Sequence, residues 1–72
     1  MAFDYLKLRA RIVEKDTSVA KIAEQMGISR QAFYERLNNN VPFKDYEIME
    51  LCNLLEIDPK LLDEYFFKDK VK

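Results

Sequence analysis

The sequence predicts an all-α domain of five helices, and three observations predict it. Apolar residues recur at three- and four-residue spacing along most of the chain, and no stretch alternates with the two-residue period of a half-buried strand. The one glycine, Gly27, stands between two such helical patterns, with a serine two positions later to start the second. Breaks at Asp16-Thr17, at Asn38-Asn39-Asn40 and at Asp58-Pro59 divide the rest of the chain into further helices. With 72 residues there is room for one small domain, 1–72, and for no second core. A chain of this size buries only about 60% of the surface its unfolded form exposes, so its stability margin is thin.

The first helix runs from position 3 or 4 to 15, with Leu6, Arg9, Ala10 and Val13 spaced for one face and Leu8 and Ile12 widening the stripe. Asp16 and Thr17 break that pattern, and Ser18 or Thr17 caps a second helix over 19–26. A left-handed conformation costs least at glycine, so Gly27 closes that helix, and Ser29 accepts the free amides of a third helix from 30 to 37 or 38. Ile22, Ala23 and Met26 share one face, and Phe33 and Leu37 lie four apart on the next. Ala23 is small enough to let two steeply crossing helices approach at a tight turn. Residues 19–38 therefore read as a helix-turn-helix.

Asparagine side chains compete for backbone groups, so the triple asparagine is a loop, which Pro42 closes. A fourth helix fits 44 or 45 to 55, with Ile48, Leu51, Cys52 and Leu55 inward and Glu47, Glu50 and Asn53 outward. Cys52 is most simply a small buried hydrophobe. Asp58-Pro59 starts a short fifth helix, 59 to 65, because aspartate accepts first-turn amides and proline is preorganised there. The apolar run from 61 to 67 has two readings. Leu61, Leu62 and Tyr65 can finish the core, while two successive phenylalanines cannot both point inward from one short helix. At least one of Tyr65, Phe66 and Phe67 then stays out as an anchor for a partner.

Composition excludes several classes. A single cysteine rules out an internal disulfide, and with no histidine there is no ligand set for a structural zinc. No catalytic residue, cofactor or small-molecule substrate is expected: the serines have capping roles, Cys52 lacks a base, and one glycine makes no nucleotide-binding loop. No apolar run approaches the roughly 20 residues that span a bilayer, and no secretory leader opens the chain, so a cytoplasmic protein is expected. Twelve basic against 13 acidic residues give a net charge of −1. Residues 1–40 carry a local +2 and the remainder a local −3. The half with the helix-turn-helix is mildly basic, which predicts a weak non-specific phosphate term in any DNA binding.

The stretch VAKIAEQMGISRQAFYERLN, with Ala23 and Gly27 at its small-residue and turn positions and Ile28 and Phe33 at apolar ones, resembles the helix-turn-helix of the Cro and repressor family of temperate phages. The resemblance implies a compact lambda-repressor-like DNA-binding domain whose third helix enters the major groove of operator DNA. It carries over Ser29, Arg30, Gln31, Tyr34 and Glu35 as groove-facing positions and Asn38, Asn39 and Asn40 as a phosphate-contacting loop. Arginine pairs with guanine and glutamine with adenine in two-pronged contacts, each discriminating by roughly 1–3 kcal/mol. Glu35 accepts from cytosine but repels phosphates. Two positions depart from the family pattern. Val19 replaces a phosphate-binding glutamine, a role left to Ser18 or Lys21, and Arg36 replaces an apolar residue, with Leu37 taking the inward place.

Leu6-Lys7-Leu8-Arg9, the motif, Val41-Pro42-Phe43 and Glu64-Tyr65-Phe66-Phe67 together resemble short proteins from phages of low-GC Gram-positive bacteria. The likeness is strongest to the modulator-of-repression proteins encoded beside the phage repressor. It implies an antirepressor that binds its cognate repressor at the switch between lysogenic and lytic growth in a bacterial host. Glu47, Glu50, Tyr65, Phe66 and Phe67 are then the expected partner contacts. The other reading is a homodimeric Cro-type repressor acting alone on a palindromic operator.

Overall fold

The computed structural model describes residues 2–69, which form five helices and no strand. The first, α1 (Leu6–Glu14), starts later than the apolar spacing predicts. Phe3 is extended instead, bridged to Asp69, and the Asp4 N–H donates to the Lys68 carbonyl at 2.7 Å. The Asp4 carboxylate then accepts the Leu6 N–H at 2.8 Å and turns the chain into the helix. The buried face of α1 also differs from expectation. It is Leu8 and Ile12, with Tyr5 buried just before the helix, while Leu6 and Val13 are 71% and 74% exposed and Arg9 and Ala10 face solvent. Both stripes have helical spacing. The buried stripe carries the larger apolar side chains, and beside it Arg11 donates to the carbonyls of Leu55 at 2.9 Å and Glu56 at 3.1 Å, which ties that flank to the end of the fourth helix.

The next two helices match the sequence reading closely. α2 (Val19–Met26) begins at Ser18, whose hydroxyl accepts the Lys21 N–H, and α3 (Arg30–Leu37) begins at Ser29, whose hydroxyl accepts the Ala32 N–H. Gly27 between them has φ +73°. Its N–H reaches the Glu24 carbonyl and the Ile28 N–H the Ala23 carbonyl, so two orphan carbonyls of α2 are satisfied at the corner. Asp16, Asn39 and Glu56 close their helices in the same left-handed conformation without being glycine. A Cβ added at Gly27 would meet nothing within 4 Å, so Gly27→Ala is a test of backbone strain alone. It is expected to cost about 1–2 kcal/mol, read as a lowered urea midpoint.

α4 (Asp45–Leu55) buries Ile48, Leu51, Cys52 and Leu55 as the spacing predicts. Burial also pushes the Cys52 thiol pKa up. A turn of 3-10 helix, Pro59–Leu61, leads into α5 (Leu62–Phe66), with the Asp58 carboxylate accepting the Lys60 N–H at 2.9 Å. α2 packs on α3 and α4, and α1 packs on α5. Phe43, in the loop before α4, sits among Tyr5, Phe33 and Phe66 with ring centres 5.3, 5.8 and 5.7 Å away, all in edge-to-face geometry. That aromatic group joins α1, α3 and α5 through a residue of the loop. Among the described residues no helix is long and apolar enough to cross a membrane.

Candidate nucleic-acid interface

The caps at Ser18 and Ser29 and the left-handed Gly27 fix where α3 starts, and its buried residues fix which way it faces. Phe33 and Leu37 are buried against the core, so the opposite side looks outward. Gln31 and Asn38 are exposed there, Tyr34 on the flank is 40% exposed and Glu35 is half-buried, while Ser29 and Arg30, in line with Phe33 and Leu37, are exposed at the N-terminal end of the helix. Of the groove-facing set expected from the sequence, Ser29, Arg30, Gln31 and Tyr34 are exposed, the first three of them at the start of α3. Lys21 on α2 is exposed as well, as is Glu24, which offsets its charge.

The asparagine loop divides its work. Asn40 is exposed, and Asn38 accepts a long 3.4 Å contact from Arg9. Asn39 does not fit the expected phosphate role, because its amide is spent on Phe3: it accepts the Phe3 N–H at 2.8 Å and donates to the Phe3 carbonyl at 3.0 Å. With φ +65° it closes α3 and ties down the start of the chain at once.

Arg36 corrects a second expectation. Leu37 does point inward, but Arg36 is buried beside it at 9% exposure. Its Nε and Nη2 donate to the two carboxylate oxygens of Glu47, each at 2.9 Å, and its Nη1 donates to the Ala32 carbonyl at 2.8 Å. Glu47 also accepts the Lys44 N–H at 2.9 Å. Glu47 is therefore no partner contact: it is 3% exposed and fully engaged inside the protein. Burial opposes its ionisation, yet the Arg36 guanidinium and the Lys44 N–H outweigh burial and hold the carboxyl below the usual carboxylate range. The same pairing raises Arg36 despite its burial. Two signals in the sequence mark the pair. Positions 33, 36 and 37 share one helix face, and a glutamate three residues into a helix commonly reaches back to its first N–H.

Two further partner residues are corrected. Tyr65 is 8% exposed and Phe66 is 1% exposed, since both are drawn into the core, and of the aromatic tail Phe67 alone stays out, at 47%. Glu50 is half-buried. Tyr46 and Met49, which the sequence reading passed over, stand 60% and 68% exposed on adjacent turns of α4.

A family model described as a protein of unknown function (DUF739) matches residues 1–69. The chain belongs to this family. The match takes in all five helices, so the α2–α3 corner and the Arg36–Glu47 pair both lie within the DUF739 domain. No curated protein matches the chain.

Proposed function

We propose that this DUF739 chain is a phage-type transcriptional regulator of the lysogenic/lytic switch, a binding protein and not an enzyme. It acts in the host cytoplasm as an antirepressor on the cognate phage repressor, with α3 touching double-stranded operator DNA in the assembly. The observation that carries the reading is the outward presentation of Arg30 and Gln31 at the start of the second helix of a helix-turn-helix. Those two side chains match the donor and acceptor pattern of base edges, and that end of the helix is the one that meets them in such motifs. The weak positive charge of residues 1–40 supports a protein partner that supplies the rest of the affinity.

A second reading, the homodimeric Cro-type repressor, is favoured by the burial of Glu47, Tyr65 and Phe66, which removes three expected partner contacts and leaves the base-reading set outward. Mobility-shift titration of operator DNA with this chain, with and without the neighbouring repressor, separates the two. A change in the repressor's DNA binding is expected under the antirepressor reading. Tight, specific binding by this chain alone at physiological salt, or no effect on the repressor, overturns it in favour of the Cro-type protein. Arg30→Ala with Gln31→Ala is expected to cut operator selectivity by about tenfold or more without lowering the melting temperature, since both side chains are exposed. Unchanged selectivity in every assembly shows that these side chains do not read bases.

A further inference from the structure

α3 is only eight residues long, and its apolar attachment is narrow. Phe33 and Leu37 are buried four residues apart, on one line along the helix. Two anchors on a line resist translation well and rotation about that line poorly. Arg36 stands off the line. At about 100° per residue it lies roughly 200° from both Tyr34 and Asn38, on the far side of the helix from the outward face.

Its geometry is rigid at both ends. Toward its own helix, the guanidinium is fixed by the donation from Nη1 to the Ala32 carbonyl, one turn back. Toward α4, the two parallel bonds to Glu47 require the guanidinium and carboxylate planes to align. Glu47 is held in turn by the Lys44 N–H at the first turn of α4. Among the described residues no buried side-chain nitrogen or oxygen lacks a partner, so neither group gains by swinging away.

We infer that the Arg36–Glu47 pair is a positioning device: it sets the rotation of α3 about its own axis and so the direction in which Arg30, Gln31 and Tyr34 point. Its worth for stability alone is small, because a buried ion pair replaced by well-packed apolar residues is often neutral or stabilising. What an apolar pair lacks is angular preference. A rotation of about 20° moves a side-chain atom at the outer radius of a helix, roughly 5–6 Å, by about 2 Å. Hydrogen bonds to base edges do not survive that displacement.

This inference rests on α3 reading bases, and its test keeps the two ideas apart. The variant is R36M combined with E47L, with E47Q as a second that keeps the shape of the carboxylate and removes its charge. Amide residual dipolar couplings report the orientation of α3 relative to α4 without any DNA. Fluorescence anisotropy with a duplex enriched from a random pool by the wild-type chain, alone or in its repressor assembly, against a scrambled duplex, reports selectivity. The expected result is a double variant that melts no lower than the wild type, with altered or broadened couplings confined to α3 and a selectivity reduced about tenfold. R36K, which keeps the charge and loses the fork, is expected to shift both readouts the same way. Wild-type couplings in the folded variants, or full selectivity despite altered couplings, overturn the inference. A wild-type chain with no duplex preference in any assembly overturns the base-reading role instead, and the couplings still decide whether the pair orients the helix.

Discussion

Glu47→Ala is expected to cost about 3–5 kcal/mol, because it leaves the Arg36 guanidinium buried with no counter-charge and strips the Lys44 N–H of its acceptor. A domain this small has a total margin on the order of 5 kcal/mol, so the variant is expected to be largely unfolded near 37 °C. Urea denaturation followed by far-UV circular dichroism checks it. The wild-type protein should show the same dependence through pH. Since the folded carboxyl sits below its usual range, its contribution is full above the unfolded value of about 4.3 and is lost as pH falls through the folded value. Glu47→Gln should flatten that acid limb. It will not abolish it, because Lys15 lowers the Glu56 carboxyl in the same direction, although that pair is exposed and screened by salt.

Phe66→Ala is the second large effect, about 3–5 kcal/mol, since the ring is 1% exposed and packs edge-on against Phe43. Phe67→Ala is expected to cost about 1 kcal/mol or less, for the loss of a half-exposed edge-to-face contact with Phe3 at 5.8 Å. The two neighbours thus separate packing from recognition. Thermal melts of both variants check the stability claim. Loss of repressor binding in the folded Phe67 variant would mark that ring as the anchor, a role burial denies to Phe66.

The parts of the fold set by local chemistry were legible in the residues. Ser18, Gly27 and Ser29 bound α2 and α3 because capping and left-handed turns depend on one or two side chains each. The inward face of α4 followed from spacing alone. What spacing did not settle was the choice between two periodic stripes on α1, since the side that the core covers depends on residues far along the chain, such as the Leu55 and Glu56 carbonyls that Arg11 meets at the end of α4. The candidate site shows the same division. That Gln31 faces away follows from where Phe33 and Leu37 must go, whereas Arg30 shares their line and is exposed because it stands at the first position of the helix. Asn39 and Glu47 were misplaced for the opposite reason, because polar side chains read as solvated unless their partners, Phe3 and Arg36, are known. The left-handed Asp16 and Glu56 carried no signal, because neither residue type demands that conformation.

The pairing of Phe3 with Asp69 has a consequence for how the molecule opens. Closing a loop costs entropy that grows with the logarithm of its length, and this contact joins residues far apart along the chain, whereas the Gly27 corner joins near neighbours. Opening of this pairing, with the Asp4–Lys68 and Phe3–Asn39 hydrogen bonds beside it, is expected at a lower free energy than opening of the corner. Such an opening is expected to uncover the rings of Phe3 and Phe67, which meet at 5.8 Å, while the corner that carries Arg30 and Gln31 stays assembled, and amide hydrogen exchange faster at Phe3 and Asp4 than at Ile28 checks it.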